Sequence, residues 1–363
     1  MIGVNMDEYF TKTYSSNLKG VAIILMFILH LLKSEWIYDP TIVWDLSING
    51  NNISYIFSTS CDLCIGVFAF ITGYSWYTSF NKNRKFRMIL NIYFSYWVML
   101  FLFALPIRVL LKEDVSFTLE NFIYNILAIE SRSISFGWYV LFYAIAVVTY
   151  KHWYKLFNRF SFSPFVKMII VCMFFFFVRG FAKIISKGIY IPDVFLDIIS
   201  HYFQCMPIII VASMVREYRI FEITNQFISD YFDRVKISLG LVCGGATIVI
   251  LILKSIFQYL TGIYSNMDSF IIVPFMYCLI GAIKSLRSFK NFDTVLRKLG
   301  GVSVYMWLSH RVLLYDSIQA VLYQVRIPVF IIIVSLGIMY PIGLLYKKID
   351  SKLKNRFAMV FIK

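Results

Sequence analysis

From Asn17 to Leu32 the chain reads NLKGVAIILMFILHLL: one lysine, Lys19, then an unbroken apolar run, then His30. Long apolar runs separated by short polar stretches recur along the rest of the chain. Runs of that length belong to membrane-crossing helices. The pattern predicts about ten spanning helices, at 15–35, 55–79, 88–110, 137–155, 165–185, 194–215, 237–257, 268–284, 301–322 and 328–346. The expected fold class is therefore all-α, a polytopic membrane helix bundle forming one domain over residues 1–363 with no fused soluble domain.

The polar stretches alternate in charge. The loop at 80–87 carries Lys82, Arg84, Lys85 and Arg87. The loop at 111–135 is acidic on balance, with Glu113, Asp114, Glu120 and Glu130 against Lys112 and Arg132. The loop at 151–167 is basic again (Lys151, Lys155, Arg159, Lys167), as are the loop at 285–300 and the tail from Lys347. The loop at 216–236 is mixed, with Arg216, Arg219, Arg234 and Lys236. Because lysine and arginine are retained on the cytoplasmic side, this alternation predicts both termini inside and the 111–135 loop outside, where its acidic and aromatic content suits a short re-entrant or surface helix. Arg179, Lys183 and Lys187 break the alternation near an outer end, as snorkelling or cavity-lining side chains do.

Composition agrees. Apolar residues make up 60% of the chain and charged ones 15%, against about a quarter in soluble domains; mean hydropathy is +0.73. A net charge of +15 in a soluble protein would point to nucleic acid, but here the cations sit between apolar runs, and no basic soluble domain exists to bind one. The first apolar run has no small-residue cleavage site and is interrupted by His30, unlike a secretory signal. Of six cysteines, Cys61 and Cys64 form a lone C-x-x-C, whose simplest role is packing on a helix face. No metal site is expected.

Two histidines stand out. His30 follows Lys19 by eleven residues, ~16 Å along a helix, which places its imidazole near the middle of a membrane if Lys19 marks one face. His310, in GVSVYMWLSHRVLL, lies nine residues after Gly301, ~13 Å into its own span and at similar depth. An ionisable side chain at that depth is costly and points to function; the alternative is that both histidines tie helices together.

Further stretches join them in a fixed order: CDLCIGVFAFITGYSWY (Cys61 to Tyr77), the basic NKNRKFR (Asn81 to Arg87) running into IYFSYW, and FGWYVLFY (Phe136 to Tyr143). That order, with Lys19-x10-His30 first and GGVSVYMWLSH last, resembles the acyltransferase 3 family of integral-membrane acyltransferases over essentially the whole chain. In the resemblance Lys19 and His30 match the family's basic residue and essential histidine. Phe70 to Tyr74 looks like its F-x-S-G-[FY] stretch, with Thr72 in place of serine. Trp138 and Tyr139 match its W-[FY] helix start, and Ser303, Tyr305 and His310 its late histidine helix. One departure is Asn91, where the family's basic loop carries a final arginine; Arg84 and Arg87 stand earlier.

The resemblance implies O-acetylation or related acyl transfer from acetyl-CoA, or another acyl-CoA, to a hydroxyl of a surface carbohydrate or its lipid-linked precursor, in the plasma membrane. It implies His30 and His310 as catalytic residues, Lys19, Arg84, Arg87 and Tyr74 toward the donor, and Trp138, Tyr139 and Ser309 toward the acceptor. His30 acts either as general base or as a transiently acylated nucleophile. A transporter or flippase for a polysaccharide intermediate, and a membrane subunit with histidines as helix glue, are the rival expectations.

Overall fold

A computed structural model describes residues 9–33, 46–48, 51–80, 85–112, 118–129, 137–188, 193–235, 237–262, 267–286 and 289–361. The chain begins with α1 (Lys12–Leu32), a two-residue antiparallel pair β1 (Ser47–Ile48) and β2 (Asn51–Asn52), α2 (Ile53–Ser60) and α3 (Leu63–Ser79). Next come α4 (Lys85–Met99), a π-helical turn (Leu100–Ala104) and α5 (Leu105–Leu110), then the short α6 (Leu119–Leu127) and α7 (Trp138–Asn158). They are followed by α8 (Pro164–Gly188), α9 (Asp193–Glu217), α10 (Ile220–Val235), α11 (Leu239–Thr261), α12 (Asp268–Leu286) and α13 (Lys290–Gly301). The chain ends in α14 (Ser303–Ser309), a 3-10 helix (His310–Leu314), α15 (Asp316–Tyr323) and α16 (Pro328–Phe361).

Among the described residues eight stretches are long and apolar enough to cross a membrane: α1, α2–α3 together, α4–α5 together, α8, α9, α11, α12 and α16. The bundle is all-α and membrane-embedded by this composition. Two of the ten expected spans are not continuous apolar helices. The segment expected at 137–155 is helical, but α7 carries Lys151, His152 and Lys155. The segment expected at 301–322 is interrupted: the α-helix stops at Ser309, a 3-10 turn starts at His310, and α15 resumes at Asp316. The connections at 216–236 and 285–300 are also helical, as α10 and α13.

The centre is built by α1, α3 and α9, whose apolar windows are mostly buried; α8, α11 and α16 keep most of theirs on the outside. The sequence allows this because α3 is apolar all round, as buried helices are, and α1 is apolar from Val21 to Leu29. Their close packing depends on two glycines. A Cβ at Gly73 would collide with the Ile209 backbone of α9, and one at Gly20 with the Leu296 backbone of α13. Ser213 of α9 reinforces the first contact by donating to the Gly73 carbonyl at 2.7 Å. Asn17 reinforces the second through Asp293 at 2.7 Å, and Asp293 in turn holds Arg297 at 2.8 Å.

The 111–135 connection contains α6, as a short helix was expected there. Its last carbonyls, which no helix can satisfy internally, are taken by three side chains of α4. Tyr96 Oη donates to Asn125 O (2.6 Å), Trp97 Nε1 to Ile126 O (2.9 Å) and Tyr93 Oη to Leu127 O (2.9 Å). These donors sit roughly 12–18 Å along α4 from its start at Lys85. The far end of α6 therefore lies beside the middle of the Lys85–Leu110 span rather than at its end, and Ala128 closes it with φ 55°.

Lys254 of α11 lies between Asp62, at the start of α3, and Asp268, at the start of α12. It contacts Asp62 directly and Asp268 at 2.9 Å, and Gln258 adds a bond to Asp62 at 3.1 Å. Arg179, one of the cations that broke the charge alternation, lies within electrostatic reach of Asp268 and donates to Ser200 at 3.0 Å. Lys183 is exposed, and the side chain of Lys187 lies outside the described residues. Cys61 and Cys64 are buried free thiols at the junction of α2 and α3.

Candidate active site

The two histidines meet. The rings of His30 (α1) and His310 (start of the 3-10 turn) stack with centroids 4.9 Å apart and planes 29° apart. Phe27, one turn before His30, packs on the other ring at 6.3 Å. His310 is positioned by its own helix: Nδ1 faces the Trp307 carbonyl, a bond that forms where the α-helix gives way to 3-10 geometry. A carbonyl only accepts, so Nδ1 carries the hydrogen, and a neutral His310 presents its lone pair on Nε2. Tyr323 of α15 donates to the Leu31 carbonyl and fixes the end of α1 beside this pair.

His30 opens onto a cavity of about 740 Å³. Its wall is drawn from α1 (Lys19, Met26, His30), α3 (Cys64 to Ser79), α4 (Met88 to Ser95), α7 (Trp138, Tyr139, Tyr143), α9 (His201), α14 (Ser303 to Trp307) and α16 (Lys354). The cavity is elongated. On α1 alone it runs from Lys19 to His30, ~16 Å of helix axis. Lys19 and Lys354 lie toward one end and His30, Trp138 and Tyr139 toward the other, and the wall from α3 and α4 is mixed, with Phe68, Ile71 and Ile92 beside Thr72, Ser75 and Asn91.

The cations differ in their pairing. Lys19 makes no ion pair or hydrogen bond among the described residues. Lys354 is held by Asp350 (2.9 Å) and by Ser95 Oγ (2.6 Å); the buried Asp350 also accepts from Tyr305 at 2.9 Å and Ser95 at 3.1 Å. At the opposite end Trp138 stacks on His201 with centroids 3.9 Å apart, and His201 Nδ1 lies 2.7 Å from the Asp197 carbonyl. Tyr139 packs edge-on against Trp307, whose carbonyl holds His310, at 5.4 Å.

Of the residues singled out in the sequence, Lys19, His30, Trp138 and Tyr139 line the cavity, and His310 backs His30. Ser309 does not reach it; its hydroxyl donates to Tyr305 O at 2.7 Å within the helix. Tyr74 is buried away from the lining, with the Arg216 guanidinium 4.8 Å above its ring and bonded to its carbonyl at 3.3 Å. Arg87 is exposed outside the lining, while Asn91 lines it; Arg84 lies outside the described residues. Sequence reasoning missed His201 and Lys354. His201 has the same signal as His30, an ionisable group well inside a span. Lys354 has none, because a lysine in a basic tail looks like topology charge.

Chemically the arrangement offers a base-capable imidazole at one end of the cavity and, at the other, Lys19, which has no acidic partner among the described residues. Among the described residues no three His, Cys, Asp or Glu side chains converge as metal ligands would. No family model, curated protein or solved structure matches this chain.

Proposed function

We propose that the chain is an integral-membrane O-acyltransferase, moving an acyl group, acetyl in the simplest case, from acyl-CoA to a hydroxyl of a surface carbohydrate or its lipid-linked precursor. The observation that carries this reading is the cavity's two ends: Lys19, with no acidic partner among the described residues, at one, and His30 at the other. Coenzyme A has the matching form, with phosphates at one end and a thioester at the tip of a long uncharged arm. Lys19 and Lys354 take the phosphates, and the arm lies along α3 and α4 toward His30. The sequence resemblance to the acyltransferase 3 family points the same way.

In the reaction the acceptor oxygen attacks the thioester carbon while His30 takes its proton. The carbon–sulfur bond then breaks, and the proton passes to the departing thiolate, leaving an ester and free coenzyme A. His310 positions His30 by ring stacking, and Trp138 with Tyr139 forms the acceptor end. The orientation is both termini in the cytoplasm, in the plasma membrane, with Lys19 at the donor's side. The bundle then crosses ten times: eight continuous spans, one made of α6 and α7 in succession, and one made of α14, the 3-10 turn and α15. The last of these breaks at His310, beside His30, where irregular backbone is buried in protein instead of meeting lipid.

Interrupted helices also occur at transporter sites, and this favours a second reading, a carrier of a polysaccharide intermediate. Purified protein given acetyl-CoA and a surface polysaccharide separates the two. Acyl transfer yields polysaccharide ester and free coenzyme A in equal amounts; a carrier yields neither.

A further inference from the structure

Apart from the cavity, α4 and α7 enclose a second hollow of about 280 Å³. Lys85, in the first turn of α4, lines it together with Lys151, His152 and Lys155 of α7. Lys151 and Lys155 are four residues apart and share a helix face. Lys85 is turned toward them by a bond from Nζ to the Val148 carbonyl at 3.2 Å and by the Phe80 ring at 5.7 Å. Among the described residues none of these three lysines has a carboxylate within ion-pairing distance.

Three ammonium groups around one hollow repel one another, and a low-dielectric boundary strengthens that repulsion. An anion relieves it, and phosphate suits lysine well. The surroundings select which phosphate. Val148 lies on the same α7 face as the lysines, one turn along, and is half exposed; Phe86 and Leu90 are exposed on α4 beside Lys85. A cationic hollow bordered by exposed apolar side chains fits a molecule with a charged head and hydrocarbon tails. Basic pockets between membrane helices hold phospholipid headgroups in this way.

We propose that this hollow binds the phosphate of an anionic phospholipid, with acyl chains lying along Val148, Phe86 and Leu90. The site is independent of the acyl-transfer reading, since none of its lining residues belongs to the cavity of His30. A soluble phosphate shares the headgroup chemistry but gains nothing from the apolar flank.

The test is native mass spectrometry of protein taken from mixed phosphatidylcholine and phosphatidylglycerol vesicles. Wild-type protein retains one phosphatidylglycerol above the bulk ratio. Each lysine near such a surface contributes roughly fivefold, so Lys85→Gln/Lys151→Gln/Lys155→Gln lowers that occupancy by about a hundredfold. Removing the same charge at Lys348→Gln/Lys352→Gln/Arg356→Gln, exposed positions of α16, leaves it intact. The arginine triple Lys85→Arg/Lys151→Arg/Lys155→Arg retains the lipid, which separates lost charge from lost fold. Retention by the glutamine triple at the wild-type level overturns the site. Displacement of the lipid by millimolar inorganic phosphate or coenzyme A assigns the hollow to a soluble phosphate and overturns the lipid assignment.

Discussion

Lys254 with its two aspartates and Lys19 at one end of the main cavity are both cations on apolar helices, and their charges are handled in opposite ways. Lys254 is enclosed by Asp62, Asp268 and the amide of Gln258, and none of the four lines the main cavity. Lys19 has no acidic partner among the described residues and faces that cavity. Taking a charge out of water is costly in both places. In the first cluster the protein supplies the counter-charge itself, so the group serves to join α3, α11 and α12. Lys19 has no such counter-charge among the described residues, and the proposed function gives it one in the donor's phosphates. Burial alone therefore does not separate the two lysines; pairing within the described fold and position against the cavity do.

The comparison breaks first at Lys254. Lys254→Met leaves two buried carboxylates facing each other, and removing one partner of such a cluster typically costs about 3–5 kcal/mol. The expected outcome is a large drop in the yield and thermal stability of extracted protein. Adding Asp62→Asn and Asp268→Asn to the same chain recovers much of it. A stable Lys254→Met protein would mean the cluster does not hold the helices together.

The next effect is smaller and falls on activity. His310→Ala removes the ring stacked on His30 and frees the Trp307 carbonyl. Acyl transfer should fall about tenfold, less than the loss of a base itself would give, with turnover affected more than the apparent KM for acetyl-CoA. Steady-state kinetics on purified protein separates the two.

Lys19→Gln is expected to have an effect similar in size, but in the apparent KM rather than in turnover. It removes a charge without breaking a bond, so thermal stability should stay within about 0.5 kcal/mol of wild type. The apparent KM for acetyl-CoA should rise roughly tenfold, as expected for one charge-assisted phosphate contact. Lys354→Met should add to that rise, while Arg87→Gln, exposed outside the cavity, should change it little.

The membrane-spanning helices were legible in the sequence, because their apolar runs are long enough to cross a bilayer. Pairing His30 with His310 was legible only as similar depth; that the rings touch depends on the packing of α1 against α14. The interruptions were not legible. The switch to 3-10 geometry follows from a side chain taking its own helix's carbonyl, and the end of α6 is held by Tyr93, Tyr96 and Trp97 from another helix. Apolar periodicity does not carry either signal. Lys354 was hidden for the reverse reason: it looks like any other cation of a basic tail until Ser95 and Asp350 turn it toward the cavity. The donor residues assigned by motif were the weakest part, since Arg87 and Tyr74 stand off the cavity that Lys19 lines.

The most direct test of His30 as the proposed base is His30→Gln, assayed for acyl transfer in purified, membrane-inserted form. Glutamine keeps a hydrogen-bonding side chain of similar reach but accepts no proton at neutral pH. If His30 is the base, the extracted protein keeps its thermal stability and loses at least about a hundredfold in transfer rate. A His30→Gln protein with near-normal acyl transfer, or one that unfolds as Lys254→Met is expected to, would contradict the account and return His30 to the company of the helix-joining groups.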